Sequence, residues 1–337
     1  MLNNEYFFVC KMNKLKLSTC KTINDENSDE NKILSEVDMP NDIIKLSKFC
    51  FAKCELLKNV KLSDNLCYIG KYSFYNCYSL ETIILPEGLI KIGSHCFENC
   101  INLKNITLPA SLLIISHSAF KNCEHIGEIS IPKNIRKIGN YTFFHCIRLQ
   151  NINIPYIKYL GKSVFEECGE LSNINLPITL KHIGKKCFKS SGLKSITLLE
   201  NITSIPESCF ENCYSLETVK MSDKVEFINE LAFYQCNKLV LLKLSKNLKL
   251  IRQSVFNQQI KILHNNCEYY LNDEYYMEEH QLILAFNALE DKNTQKAHAL
   301  MNKILIFYNF IDFKTFGIEF PKLKNIRKEN TKNWWVI

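Results

Sequence analysis

The sequence predicts an α/β solenoid, in which short units coil on top of one another with a parallel β-sheet on one face and short helical turns on the other. Three observations lead to this prediction. Phenylalanine recurs at steps of 22 or 23 residues from Phe51 to Phe256, a strand-like alternation of apolar and polar residues recurs at the same interval, and a cysteine usually follows the phenylalanine three residues later. A unit of this size cannot bury its apolar face alone, so such self-similarity is typical of stacked repeats.

Each unit begins with a strand that has one buried face. In one unit Ile106 and Leu108 alternate with polar residues, and a period of two places the aliphatic side chains inside and the polar ones outside. Proline often ends the strand, since it cannot donate to a neighbouring strand. Strands are predicted to start at residues 12, 34, 57, 80, 103, 126, 149, 171, 193, 216 and 239, with residues 260–263 as a candidate twelfth.

A glycine such as Gly93 marks the turn after the middle of many units. Glycine adopts a backbone φ above zero without steric cost, and we expect it to lead the chain into the short helical piece. The phenylalanine and cysteine that follow should form the inward face of that piece. Buried cysteine behaves as a small hydrophobe, so a packing column is expected from Cys54, Cys77, Cys100, Cys123, Cys146, Cys168, Cys213 and Cys236.

The two ends of the chain differ from the regular units. Residues 1–33 predict a degenerate N-terminal capping repeat, because Ser28 stands where a phenylalanine is expected. Residues 34–262 predict the solenoid itself. Residues 263–337 predict a helical C-terminal cap with a basic tail, since residues 282–289 and 297–308 have helical spacing. Such a cap would cover the open edge of the last repeat.

The repeated pattern Leu-x-x-Ile-x-Leu-Pro-x-x-Leu-x-x-Ile-Gly-x-x-x-Phe-x-x-Cys resembles the BspA-like leucine-rich repeat family, which has 23-residue repeats. The resemblance covers residues 34–256 well and residues 7–33 more weakly. It implies a horseshoe-like, right-handed leucine-rich-repeat coil, used for adhesion or protein binding. Many members of the family are surface proteins.

Composition narrows the function classes. The net charge of +7 is spread over 42 basic and 35 acidic residues, which is a mild bias, and no nucleic-acid partner is predicted. No apolar run reaches the roughly 18 residues of a membrane helix, and the short run near Phe7 and Phe8 is too short for a signal peptide. We therefore predict a cytoplasmic monomer with reduced cysteines, and a cell-surface location is the alternative.

The polar positions of the strands form columns rich in Asn, Ser and Thr. One interpretation is that these columns favour cross-strand packing and solubility. The other is a concave protein-binding face whose strongest contacts lie toward its ends, because the centre lacks the aromatic and arginine anchors that usually supply affinity. The candidate binding residues are Glu36, Asp38 and Asp42 at one end and Lys220, Leu241 and Lys243 at the other.

A metal- or thiol-dependent activity that uses the cysteines is the second alternative to a binding scaffold. The pairs Cys50/Cys54, Cys96/Cys100 and Cys209/Cys213, with His95 and His145 beside two of the cysteines, could suggest zinc. The pairs follow from the repeat, however, and neighbouring side chains of one turn cannot all point to a single ion. No cysteine is singled out as a nucleophile. We predict no catalytic residue, no cofactor and no metal site, and hence a non-enzymatic scaffold that binds another protein, with an exported adhesin as the first alternative.

The chain ends in an apolar group after a basic stretch, Lys322 to Lys332. Trp334 and Trp335 either fold back on the helical cap, or they belong to an extended peptide that binds in a groove of the partner. In the second case the carboxylate of Ile337 would be held by backbone amides.

Overall fold

The computed structural model describes residues 10–11, 14–16, 22–23, 34–252, 254–257, 260–264 and 267–271, and the side chains of most residues from 34 to 263. This part of the chain is a parallel β-solenoid of stacked coils. Equivalent residues of neighbouring coils pair directly, as Asn105 does with Thr82 one coil earlier. The stacking predicted from the 22- and 23-residue period is confirmed.

The strands that open the coils line up as the first sheet, which is hydrogen-bonded in groups of four, two, two, two and three strands. Its strands are parallel, apart from antiparallel hairpin partners at both ends of the described chain, Cys10–Lys11 and Cys267–Leu271. The predicted twelfth strand is present as Ile260–His264 and pairs with Leu241–Lys243. The parallel strands are Lys14–Lys16, Glu36–Asp38, Asn59–Lys61, Thr82–Ile84, Asn105–Thr107, Glu128–Ser130, Asn151–Asn153, Ser195–Leu198, Thr218–Met221, Leu241–Lys243 and Ile260–His264.

The strand predicted to start at residue 171 is not formed. Its backbone still contacts the next coil, where the N–H of Lys194 donates to the carbonyl of Ser172 at 2.9 Å. The steps from Leu149 to Leu171 and from Leu171 to Leu193 are both 22 residues, whereas the adjoining steps are 23. A 22-residue step does not by itself remove the pairing, since Lys14 and Glu36 pair across a step of the same length.

A second sheet crosses the middle of each coil, where the sequence predicted no strand. Its two-residue strands also pair in parallel, and an isolated bridge joins Tyr159 to His182. The strands are Thr22–Ile23, Lys45–Leu46, Tyr68–Ile69, Lys91–Ile92, Ile114–Ile115, Lys137–Ile138, Tyr159–Leu160, Ser204–Ile205, Phe227–Ile228 and Leu250–Ile251.

The predicted short helical turns are wrong, since the described residues contain no helix. The segment around Phe97 forms tight turns in which His95 and Asn99 have φ values of 57° and 63°. The N–H of Phe97 donates to the carbonyl of Ala119 in the next coil at 2.8 Å. A helix needs these N–H groups to bond four residues back and needs negative φ throughout. Bonding between coils therefore replaces the helix.

The glycine at the turn has a different purpose from the predicted one. Gly93 does not have a positive φ, but a Cβ there would lie 2.5 Å from the carbonyl carbon and oxygen of Gly70. Real Cβ atoms do not come so close to backbone. Glycine is required because the backbones of neighbouring coils approach each other closely at this point.

The core is a continuous column of phenylalanine rings. From Phe51 to Phe256 each ring stacks on the next, with centroids 5.3 to 5.9 Å apart. Nine of the ten rings are fully buried, and Phe256 is partly buried at the end of the column. Leucine and isoleucine from the two sheets fill the space around the column, which confirms the inward face predicted from the sequence.

The C-terminal cap is corrected where the structure describes it. Residues 263–264 and 267–271 belong to the strands Ile260–His264 and Cys267–Leu271, which pair in antiparallel fashion, so the described beginning of the predicted helical cap is strand. This hairpin lies on the last coil and pairs with the open edge of that coil's strand. The helical cap was expected to cover the same edge. The predicted helices, the basic tail, Trp334, Trp335 and Ile337 lie outside the described residues.

Candidate functional site

The candidate site is the outward face of the first sheet. Alternation along the strands confirms this face: Asn105 and Thr107 are exposed, and Ile106 between them is buried. The same pattern recurs in most strands, so one face of a long sheet is open to solvent. The face is defined by the short polar side chains that the sequence predicted.

The middle of this face forms a shallow open depression of about 820 Å³. Some of its side chains bond across the strands: the Asn151 Nδ2 donates to Glu128 Oε1 at 2.9 Å, and the Asn153 Nδ2 donates to Ser130 Oγ at 3.2 Å. These bonds support the cross-strand interpretation of the polar columns. The outward residues that line the depression are Asn105, Thr107, Glu128, Ser130, Asn151, Asn153, Asn173 and Asn175.

The predicted acidic residues lie at the N-terminal end of the solenoid. Asp42 is exposed, and Asp38 is half-buried with its Oδ1 3.5 Å from the Lys61 Nζ. Glu36 is half-buried in the same strand as Asp38. Of these three predicted residues, Asp42 is the one that is fully exposed.

The predicted residues at the other end form a more compact group. Lys220 and Lys243 are exposed at equivalent positions of adjacent coils, and Leu241 is 43% exposed. Sequence reasoning missed Val240, whose side chain is 66% exposed beside Leu241. The signal was available, because Val240 and Leu241 are two apolar residues where the preceding coils have two polar residues, or a glycine and a polar residue, before the buried one.

The two ends are far apart. Asp38 and Lys220 are separated by eight coils, which is about 40 Å at the usual strand spacing of 4.7 to 4.9 Å. Between them, Ile84 stands out as an isoleucine that is 85% exposed on the same face. The structure thus does not bring the six predicted residues together, and one small ligand could not contact both groups.

The cysteine column has a role beyond packing. The thiols of Cys100 and Cys123 donate to the carbonyl oxygens of Phe74 and Phe97 at 3.1 and 3.0 Å, each to the preceding coil. The same bond is made by Cys77, Cys146, Cys168, Cys213 and Cys236. Burial raises the pKa of Cys146 to about 12 and that of Cys213 to about 11. These thiols are unreactive hydrogen-bond donors, because the nucleophile is the thiolate.

The histidines that suggested zinc face away from the cysteines. The His95 Nδ1 lies 2.5 Å from Glu98 Oε2, on the outside of the coil, whereas Cys96 is fully buried. His145 likewise bonds to Glu167, with 2.7 Å between Nδ1 and Oε2. In the part of the chain that the structure describes, no three potential ligands are grouped around a common point. None of the described residues belongs to a helix that could span a membrane.

Comparison with protein families gives a match over most of the chain. The model described as BspA type Leucine rich repeat region matches residues 1–127 and 136–263, in six copies. A comparison with functionally curated proteins found no match.

Solved structures give the same fold. The chain is similar to a leucine-rich repeat protein from Bacteroides ovatus ATCC 8483, with 24% identity, a TM-score of 0.59, and coverage of 76% of this chain and 85% of that one. It is also similar to a leucine rich cell surface protein from Faecalibacterium prausnitzii A2-165, with 19% identity, a TM-score of 0.44, and coverage of 79% and 94%. The leucine-rich repeat protein of T. pallidum is 21% identical, with a TM-score of 0.38 and coverage of 71% and 90%. The first of these likenesses shows the leucine-rich repeat fold, and the other two are too low in TM-score to add to it.

Proposed function

The chain belongs to the BspA-type leucine-rich repeat family, and from this premise we propose that it is a non-enzymatic scaffold that binds another protein through the outward face of the first sheet. The observation that carries the proposal is the shape of that face. It is a long, open, largely polar surface, and its depression is shallow where a small-molecule site would be enclosed. A surface of this kind suits a partner that makes many contacts along the solenoid.

The chemistry of the interior supports a binding role over a catalytic one. The buried thiols are used as donors to the backbone of the preceding coil, as with Cys123 and Phe97. The histidines with close partners, such as His95 with Glu98, sit in the turns and away from the depression. An acid–base or nucleophilic mechanism needs such groups to converge on one reacting atom.

We place the main contacts at the C-terminal end of the face. Val240 and Leu241 give an apolar centre, and Lys220 and Lys243, which are neighbours in adjacent coils, give positive charge beside it. Interfaces obtain most of their affinity from a few desolvated side chains surrounded by a polar rim. The acidic residues near Asp42 would then meet a second, oppositely charged part of the partner.

We also propose that the protein works as a monomer in a reducing, cytoplasmic compartment. The support is that a thiol such as Cys100 acts as a hydrogen-bond donor, for which it must keep its proton. Titration of the denatured, unreduced protein should then find close to sixteen free thiols. Most cysteines paired in that titration would instead favour the exported adhesin.

Affinity purification from the native cell, followed by binding measurements with the purified partner, tests the proposed interface. The variant Lys220→Ala/Leu241→Ala/Lys243→Ala should bind the partner about tenfold more weakly or worse, because truncated hot-spot residues cost more than 1 kcal/mol each. The control carries the same substitutions off the first sheet, at Lys45, Leu56 and Lys91, which are also exposed.

The control should bind as the wild type does. Equal affinity of both variants and the wild type would exclude this end of the face as the interface. Turnover of a substrate by the purified protein would overturn the non-enzymatic assignment.

A further inference from the structure

The solvent side of the second sheet carries a block of positive charge in three consecutive coils. Residues 126–192 contain ten lysine and arginine residues but only four glutamates. This third of the solenoid therefore holds most of the net charge of +7, and the basic and acidic residues of the rest of the chain nearly balance each other. A local excess of this kind produces an electrostatic field that the whole-chain charge conceals.

The structure aligns these cations in columns. The N–H of Lys158 donates to the carbonyl of Arg136 at 2.8 Å, and the N–H of Lys181 donates to that of Lys158 at 2.9 Å. Arg136, Lys158 and Lys181 are thus one strand spacing apart, about 4.8 Å, and all three are exposed. In the next column Lys137 pairs with Tyr159 and Tyr159 bridges to His182.

The ammonium groups of this block are not neutralised by the protein. Within the described residues, no carboxylate lies within ion-pair distance of Lys137, Lys158 or Lys181. The equivalent position three coils beyond Lys181 is different, because Lys249 there forms an ion pair with Glu226 at 2.8 Å. Like charges placed side by side cost free energy, so an unpaired row of them favours an anionic partner.

The block borders a groove of about 420 Å³ on the same side of the solenoid. Lys181 and His182 belong to both, and Thr203 and Ser204 add hydroxyl groups that can donate to an anion. The carboxylate of Glu207 in this groove is held by Lys185, with 2.5 Å between Nζ and Oε2. The lining also contains Arg252 and Glu230, so three lysine and arginine side chains stand against two carboxylates in the groove.

The neighbouring aromatic rings decide between two kinds of polyanion. The Lys162 ammonium lies over the Tyr141 ring at 5.4 Å and the Arg136 guanidinium over the Tyr156 ring at 5.7 Å. Single-stranded nucleic acids are bound through open aromatic faces on which bases stack. One face of each of these two rings is covered by a cation of the protein itself, and the Tyr159 ring lies against the His182 ring with centroids 6.5 Å apart. These contacts favour an anion without bases.

We propose that the cationic block, defined as Arg136, Lys137, Lys158, Lys181 and the adjoining groove, binds an acidic, extended segment of a partner protein. Carboxylates of the segment pair with the cation columns and accept hydrogen bonds from the hydroxyls of the groove. This deepens the proposed function by giving the chemistry of one contact, and it lies on a different sheet from the interface proposed above.

Fluorescence anisotropy with a labelled peptide of alternating glutamate and serine tests the site, using the full-length protein at low salt. The variant Arg136→Glu/Lys158→Glu/Lys181→Glu should lose affinity for this peptide by about tenfold or more. Each exposed ion pair contributes little binding energy, but reversing the charge also makes the site repel the carboxylates of the peptide. The control Lys45→Glu/Lys48→Glu/Lys91→Glu has the same change in charge in earlier coils and should stay within about twofold of the wild type.

Each other outcome overturns the inference. No binding of the peptide at low salt would show that the block is not a site for acidic segments. Equal loss of affinity in both variants would mean that only the overall charge matters. Tighter binding of an oligothymidylate of equal charge, lost in the same variant, would make the block a nucleic-acid site.

Should the triple reversal fail to fold, the milder Lys137→Ala/Lys158→Ala/Lys181→Ala variant replaces it with the same expectation of weaker binding. The variant at Lys220, Leu241 and Lys243 should bind the acidic peptide normally, so this site and the interface on the first sheet can fail independently.

Discussion

Replacing one ring of the phenylalanine column should cost far more free energy in the middle of the solenoid than at its end. Phe97 is fully buried and stacks on Phe74 and Phe120 with centroids 5.3 and 5.4 Å apart. Truncation of a buried phenylalanine to alanine costs about 3 to 5 kcal/mol, and each stacked pair adds about 0.5 to 1.5 kcal/mol to its burial. Phe97→Ala should therefore lie at the upper end of that range.

Phe256→Ala should cost about half as much, because Phe256 is partly buried and stacks only on Phe233, at 5.8 Å. Ile84→Ala is the matched control, since Ile84 lies in the same coil as Phe97 but is 85% exposed. It should change the free energy of unfolding by less than about 0.5 kcal/mol.

Denaturant unfolding followed by circular dichroism measures all three variants, and the slope of the transition shows whether unfolding is still one step. A loss for Phe97→Ala no larger than that for Ile84→Ala would refute the stacked core. Equal losses for Phe97→Ala and Phe256→Ala would refute the gradient from the centre to the end.

Gly93→Ala should destabilise the protein by about 1 to 3 kcal/mol, because the added Cβ overpacks the contact between coils. Gly127→Ala is the control and should not destabilise it, since a Cβ there meets nothing within 4 Å. Equal melting temperatures of the two variants would contradict the close approach of the coils. The free energy of unfolding should be constant up to pH 8 and fall as the pH rises above about 9, because thiols of the unfolded chain ionise near their ordinary pKa of about 8.5. The buried thiols of the folded state stay protonated, with the pKa of Cys146 raised by burial to about 12. Cys146→Ser should therefore make the free energy of unfolding fall less steeply with pH. A free energy of unfolding that rises with pH in this range would contradict the prediction. The fluorescence of Trp334 and Trp335, the two tryptophans of the chain, should be blue-shifted and protected from quenchers if the C-terminus folds back, and removal of residues 334–337 should then lower the melting temperature. Emission like that of free tryptophan, with an unchanged melting temperature and loss of a partner, would instead indicate a docking peptide.

The inward side chains could be predicted because the sequence repeats them at a constant interval. Phe97, Cys100 and Ile106 belong to periods of 22 or 23 residues and of two, and both periods follow from local chemistry alone. The polar columns of the first sheet could be predicted for the same reason. The exposure of Val240 could have been predicted too, because the equivalent residues, such as Lys104, are exposed polar residues in most coils.

The turns could not be predicted in this way. Local preferences favour negative φ for residues such as His95, and it is the bond from the N–H of Phe97 to Ala119 in the next coil that holds the chain in the left-handed turn. The sequence suggested that Gly93 is present because the turn requires a positive φ. The structure shows instead that the backbone of Gly70 leaves no space for a Cβ at residue 93.

The sequence by itself determined the number and order of the coils and which side chains are buried, because burial follows from periodicity within one unit. Only the tertiary structure decided how the units bond to each other, which turned expected helices into turns and added a second sheet. It also decided which charges are neighbours: Arg136, Lys158 and Lys181 are more than twenty residues apart along the chain, and only the stacking of coils places them in one column.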